Sequence, residues 1–271
     1  TRWEDVWVDG LSADTLHRAL EPLEHAFQFG GETPSFMQDF EPLTGEKVSI
    51  ASLLPEIPGK QAIKRNSDHF IKRGVTEYLC PHCTVLSLFS LQLISPEGGR
   101  GYRTGLRGGG PMTTLIELQE FQGNRQTPLW RKLWLNVMPQ DIAEMPLPCS
   151  CDESVFPWLA KTRTSEPLTG VNTTPEEVNT LQACWGMPRR IRLDFSSLHS
   201  GACDLCGTHS DELLREMTVK NYGVNYEGWR HPLTPYRLPL KEGIGFYSVK
   251  PQPGGLIWRD WLGLNHEGAS D

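Results

Sequence analysis

The sequence predicts an α+β fold, an irregular mixed globular domain in which helical and strand segments follow one another without a regular order. Three observations predict it. Stretches with a 3.6-residue apolar period and stretches with two-residue alternation are interspersed along the chain, with no internal repeat. The 271 residues, 38% apolar and 22% charged, have the composition of an ordinary globular chain, enough for one large domain or two modest ones. Two C-x-x-C pairs stand far apart in the chain, where a shared metal would staple distant segments together.

Each element has its own reason. Residues 12–29 start at a Ser12 N-cap, keep Leu16, Leu20, Leu23 and Phe27 on one helical face and stop at Gly30-Gly31, with Pro22 placed to break or kink the helix. Residues 84–94, TVLSLFSLQLI, are too apolar to assign by period, and a buried helix after Cys83 is the preferred reading. Residues 113–121 alternate like a strand, and residues 128–138 read as a helix with Thr127 as N-cap and Pro128 in its first position. The stretch 139–170, rich in Pro, Ser and Thr, reads as a linker or long surface loop. Thr174-Pro175-Glu176-Glu177 is a capping box, which predicts a helix of two or three turns. RRIRLDF, REMTVKNY and GFYSVK read as strands joined by Pro- and Gly-rich turns.

Charge is unevenly spread. The formal net charge is −7, yet residues 1–59 hold three Lys or Arg against eleven Asp or Glu, whereas residues 60–125 hold nine against five. The overall sign argues against a simple nucleic-acid coat, and the local reversal leaves room for a basic patch. No apolar run reaches the roughly 18–20 residues that span a bilayer, and the N-terminus lacks the basic and apolar regions of a signal peptide, so the expected location is the cytoplasm, with no membrane partner. The chain opens on Thr1 and enters a helical pattern at once, which reads as a piece of a longer protein.

Cysteine spacing is the strongest chemical signal. Cys80-Pro81-His82-Cys83 and Cys203-Asp204-Leu205-Cys206 together offer four thiolates, the tetrahedral set of a closed structural zinc site. A redox dithiol and pairs of unrelated thiols are the other readings of the motif. With 119 residues between Cys83 and Cys203, a metal here would clip two remote segments, and its ligation energy would add to folding. Cys149, Cys151 and Cys184 read as free or core thiols.

The run RGYRTGLRGGGP, residues 100–111, raises a separate question. It lacks the Gly-Lys-Ser/Thr of a phosphate loop and the strand and helix that flank a dinucleotide fingerprint. Glycines also let a backbone enter a nucleic-acid groove while neighbouring arginines hold phosphates; a flexible surface hairpin is the bland alternative.

Taken together, Cys80-x-x-Cys83-Thr84, then Gly105-Leu106-Arg107-Gly108-Gly109 with Pro111 and Thr113-Thr114, then Cys203-x-x-Cys206-Gly207, then Trp229-x-His231-Pro232 with Pro235, resemble in order and spacing the large subunit of the type I-E CRISPR Cascade complex, the CasA family. The resemblance implies a non-catalytic subunit of a surveillance complex that recognises the protospacer-adjacent motif (PAM) in double-stranded target DNA, helps start strand invasion guided by the CRISPR RNA (crRNA), and helps recruit the helicase-nuclease. It implies a structural zinc on Cys80, Cys83, Cys203 and Cys206, and PAM contacts from Gly105, Leu106, Arg107, Gly108 and Lys220. It places Phe70, with Lys72 and Arg73, in a loop near the crRNA 5′ handle and the PAM; the stretch 60–75 is basic around an aromatic residue, which suits that placement. Implied partners are the subunit that caps the 5′ handle, the backbone subunit, the small subunits, crRNA, target DNA and the helicase-nuclease. On this reading residues 1–271 are the central part of the family's large N-terminal domain, and the C-terminal helical bundle, with the duplex-opening glutamine, lies beyond them.

As an enzyme the chain would need an activated nucleophile or an open metal site; neither is legible, and the eight histidines show no H-E-x-x-H spacing. The alternative to DNA reading is a zinc-stabilised scaffold, indifferent to Lys220 and the glycine loop.

Overall fold

A computed structural model describes residues 2–31, 34–55, 57, 59, 63–66, 74–96, 98–110, 112, 114–118, 127–138, 152–237 and 245–250. Helices and short strands are mixed, as the sequence predicts. The strands are β1 (Glu46–Ser49), β2 (Asn172–Thr173), β3 (Arg190–Leu193), β4 (His199–Ala202), β5 (His209–Leu213), β6 (Glu216–Lys220), β7 (Asn225–Tyr226), β8 (Tyr236–Arg237) and β9 (Tyr247–Ser248). The main sheet is antiparallel in the order β1-β6-β3. Strand β6 is central because its Met217 and Val219 alternate toward the core.

The helix Pro81–Ile94 packs against the 3-10 turn Ile50–Leu53, shares the core with Ile191 and Met217 of the sheet, and is fixed by Gln92, which is fully buried. Its Nε2 donates to the carbonyls of Met37 and Arg189 at 3.0 and 2.9 Å, and its Oε1 accepts from the Arg189 N–H. One amide thereby satisfies three backbone groups at the entry to β3. Beside it, Phe27, Phe36, Phe156, Trp158 and Trp185 form an aromatic cluster with ring centroids 5.1–6.1 Å apart, mostly edge to face.

Several expectations need correction. The helix capped by Ser12 ends at Leu20 and continues as a tight 3-10 turn over Glu21–Ala26, because Pro22 cannot donate the next helical bond. Leu16 and Leu20 lie exposed, and the contacts with the core come past the break, from Leu23, Ala26, Phe27 and Phe29. Among the described residues of 113–121, positions 114–118 are not a strand: the Ile116 backbone bonds the Asn136 side-chain amide on both sides in place of a ladder. The helix expected over 128–138 is Leu129–Trp134, with Pro128 and not Thr127 at its cap.

The capping box does form its contact, Thr174 N–H to the Glu177 carboxylate, yet only a turn follows, and Asn179 caps a separate 3-10 turn at Thr180–Cys184. In the expected linker, residues 139–151 lie outside the described residues, residues 155–159 enter the core, and residues 166–170 form a largely exposed loop. Trp158 is completely buried and donates from Nε1 to Ala26 O at 2.6 Å, so the run Val155-Phe156-Pro157-Trp158 outweighs the loop-like composition around it. Among the described residues, no helix is long and apolar enough to cross a membrane.

Candidate metal centre and nucleic-acid interface

The two cysteine pairs meet. The first occupies the start of the helix Pro81–Ile94, with Cys80 as its N-cap residue; the second is the tip of the β4–β5 hairpin, where Gly207 adopts φ +74° so that the chain can turn back. Backbone bonds stitch the two segments together: Leu79 and Leu214 exchange N–H···O=C bonds at 3.0 and 2.9 Å, and the Asp204 N–H donates to Tyr78 O. Asp204 adds a clamp, its carboxylate accepting from the N–H groups of Glu77 and Tyr78, each at 2.7 Å. Cysteine spacing does not single out Asp204; its signal was an Asp at the first x of C-x-x-C, a position that favours side-chain-to-backbone bonds.

The four sulfurs lie within 4.8 Å of one another, and Cys80 Sγ and Cys206 Sγ are 3.8 Å apart. A tetrahedral ion with bonds of about 2.3 Å places its sulfurs about 3.8 Å apart, so the donor set fits a metal ion. Cys80, Cys83 and Cys203 are buried and Cys206 is exposed. Burial pushes the Cys80 and Cys83 thiols up. It acts the same way on Cys203, but there the N–H groups of Cys80, Cys206 and Leu205 prevail and the net direction is down. Hydrogen bonds from the Thr208 side chain and backbone bring Cys206 down to about 6. Thr208, another residue missed in the sequence, thus favours a thiolate at the exposed corner.

The glycine run is packed against the rest of the chain. A Cβ on Gly105 would collide with the Leu93 carbonyl oxygen, and the N–H groups of Gly105 and Arg107 donate to Ser95 O and Leu93 O. The loop therefore caps the C-terminal end of the helix Pro81–Ile94, and glycine is required because the helix itself is the close neighbour. Gly108, at φ +93°, abuts Ser248, whose Oγ donates to Gly108 O. Leu106 and Arg107 are buried. The Arg107 guanidinium points inward, Nε to Thr234 Oγ1 at 2.9 Å and Nη2 to Leu233 O at 2.8 Å, beside His231. By contrast, nothing lies within 4 Å of a Cβ built at Gly99 or at Gly110, which has φ +77°.

Lys220, at the end of β6, is 44% exposed at its side chain. The residues after it join the glycine run: Asn221 Nδ2 donates to Arg100 O and the Tyr222 N–H to Gly101 O, at 3.0 and 2.8 Å. Arg103 braces the same corner from below, donating to Ser165 Oγ and Ser165 O. The fold so brings Lys220 and the run 100–103 onto one corner, with Arg100 and Lys220 exposed. Phe70, Lys72 and Arg73 lie outside the described residues.

The motif Trp229-x-His231-Pro232 is structural in its contacts. Trp229 Nε1 donates to Thr173 O, and His231 Nδ1 accepts from the Leu233 N–H. Burial first, and the Arg107 charge second, lower His231 to about 4, which keeps it neutral.

The profile of the CRISPR-associated protein Cse1 family matches residues 1–271. The chain belongs to the Cse1 family. Three solved structures share the fold. A CRISPR-associated protein from Thermus thermophilus matches at 18% identity and a TM-score of 0.58, covering 96% of this chain and 46% of its own. Thermus thermophilus CasA matches at 19% and 0.56, with 96% and 46% covered. A further structure, of Thermus thermophilus CasA (Cse1), matches at 19% and 0.54, with 96% and 48% covered. This Cse1 chain thus spans about half the length of those structures, and at such identities the likeness concerns the fold alone. The resemblance drawn from the motifs is borne out at the level of the family.

Proposed function

We propose that this Cse1 chain forms the PAM-testing part of the large subunit of a type I-E Cascade complex, acting without catalysis in the cytoplasm. Within that reading, residues 1–271 are the central part of the subunit's large N-terminal domain, and zinc is the metal on Cys80, Cys83, Cys203 and Cys206. Its partners are crRNA, double-stranded target DNA, the other Cascade subunits and the helicase-nuclease, with Phe70, Lys72 and Arg73 facing the crRNA handle.

The observation that carries the proposal is the corner where Lys220 and the glycine run meet through Asn221 and Tyr222. An exposed ammonium beside the exposed Arg100, next to Gly99 whose built Cβ meets nothing within 4 Å, suits a groove contact that reads the minor groove's degenerate pattern. Such reading tolerates several PAM sequences, and guide pairing supplies the remaining specificity. Within the run, Gly105, Leu106, Arg107 and Gly108 shape the loop from behind, and Gly110 is its open backbone position.

One observation favours the rival reading, a metal-stabilised scaffold: Arg107 and the backbone of Gly105 are engaged in contacts within the chain. Binding of the assembled complex to duplexes that share a guide match and differ in PAM separates the two. PAM discrimination that collapses in Lys220→Ala supports DNA reading; binding indifferent to both PAM and mutation supports the scaffold.

A further inference from the structure

Strands β3 and β6 place Arg190 directly opposite Lys220. Like charges in that cross-strand position repel, so the register needs a counter-charge. Arg190 already has one on its buried side: Asp39, 1% exposed, accepts from Arg190 Nε at 2.6 Å. A second carboxylate stands between the two cations, with Glu166 Oε1 3.3 Å from Arg190 Nη1 and 3.5 Å from Lys220 Nζ. Two carboxylates thus serve the two cations, with Arg192 also donating to the Asp39 carbonyl on the inner side.

Glu166 is not a loose surface carboxylate. Its carbonyl accepts from the Gly170 N–H at 2.7 Å, and a Cβ on Gly170 would collide with the backbone around Ser165 and Glu166, so this loop can close only with glycine. Its neighbour Ser165 is bolted on both sides. The Ser165 hydroxyl accepts from Arg103 of the glycine run and donates to Gly223 O, and its N–H donates to Tyr222 O. The loop that carries Glu166 is therefore tied both to the glycine run and to the turn that follows Lys220.

We propose that Glu166 is a positioning residue that holds Lys220 in check and sets the threshold for duplex entry at this corner. The inference rests on the reading of Lys220 as a DNA contact. A duplex that approaches brings phosphates, which Glu166 repels, and it gains Lys220 only by offering acceptors good enough to draw the ammonium from the carboxylate. Duplexes with well-placed groove acceptors make that exchange; others meet a neutralised surface. Glu166 thereby converts a non-specific cation into a conditional one, and it is a determinant of PAM stringency.

The test uses the assembled complex with Glu166→Gln, Lys220→Ala and the double variant, on guide-matched duplexes with preferred and non-preferred PAM. Glutamine keeps the shape and an oxygen for Arg190 but removes the charge. Glu166→Gln is expected to tighten binding by about three-fold near 0.1 M salt, the scale of an exposed ion pair, and more for the non-preferred duplex. In the Lys220→Ala background the gain should fall to the smaller part owed to the carboxylate's own repulsion of phosphate, and in both backgrounds it should shrink as salt rises. An equal gain with and without Lys220, or no gain at all, overturns the check while leaving the Lys220 contact standing, provided that Lys220→Ala alone still weakens binding. If Lys220→Ala changes nothing in either background, the DNA contact itself falls, and the check with it. Glu166→Asp, which keeps the charge one methylene further from both cations, should fall between wild type and Glu166→Gln; matching Glu166→Gln melting temperatures to wild type separates this from a folding defect.

Discussion

Two corners of the molecule lie at opposite ends of the helix Pro81–Ile94, and they use their polar groups differently. At its N-terminal end, four sulfurs converge on one point and the surrounding backbone is paired around them. At its C-terminal end, the glycine run also crowds the helix, but Gly105 and Arg107 already bond within the chain, to Leu93, Ser95, Thr234 and Leu233. The first corner gathers four donors that fit a metal ion; at the second, Gly105 and Arg107 serve contacts within the chain, while Arg100 and Lys220 stay exposed. Tight local geometry alone therefore does not tell a binding loop from a packing loop. What tells them apart is whether the converging groups already have partners.

The strongest test of this contrast comes from the metal corner. Stripping the metal with a chelator, or Cys203→Ser, is expected to lower stability on the order of 5 kcal/mol. Unlike an isolated zinc finger, the metal-free chain should keep its fold, because the Leu79–Leu214 and Asp204 bonds persist. Thermal melts alongside elemental analysis would check this; an unchanged melting temperature in metal-free protein would remove the contrast at its first term.

Next is Arg107→Ala, which removes two guanidinium bonds from a buried site while the Leu233 carbonyl keeps its bonds from Thr114 and the Thr234 hydroxyl keeps the Arg107 carbonyl, so it should cost about 1–2 kcal/mol in denaturant melts. If Arg107 served DNA and not the fold, stability would hold and only binding would fall.

A pH-dependent effect of similar size belongs to His231. Its folded value of about 4 lies below the ordinary 6.5, so the unfolded chain binds the extra proton between those values. Its contribution is full above about pH 6.5 and is lost as pH falls toward 4, by about 2 kcal/mol after allowing for partial solvent screening. His231→Asn should flatten the stability profile in that window; an unchanged slope would mean that other groups cause it.

Smallest in stability is Lys220→Ala, within about 0.5 kcal/mol of wild type because its ion pair is exposed. Its mark should instead be a weaker duplex affinity with a shallower salt dependence in titrations of the assembled complex. A melting shift as large as that of Arg107→Ala would erase the distinction between the exposed Lys220 and the buried Arg107.

Much of this was legible beforehand, and the reasons are local. Ser12 and Pro22 act through their own backbone, so the start of one helix and its break could be read from neighbours a few residues away. The same holds for Cys80 and Cys83 at a helix start and for Cys203, Cys206 and Gly207 at a hairpin tip, where each spacing specifies its own turn. Trp158 could not be placed in that way: its surroundings read as a loop, and only contacts with Phe27, Phe36 and Trp185 make it core. Leu16 and Leu20 failed in the other direction, since periodicity marks an apolar face without saying whether anything covers it.

Local spacing along the chain was enough to establish the mixed fold class, the four cysteines that cluster and the family, because motif spacing encodes turns and donor chemistry within a few residues. It took the packed chain to show that Arg107 faces inward, that Gly105 yields to the Leu93 carbonyl, and that Glu166 stands between Arg190 and Lys220. Those facts depend on which segments come to share a surface, and Arg107 meets a carbonyl 126 residues further along the chain. Pairing at that distance is set by the packing of the whole core, and no local spacing carries it.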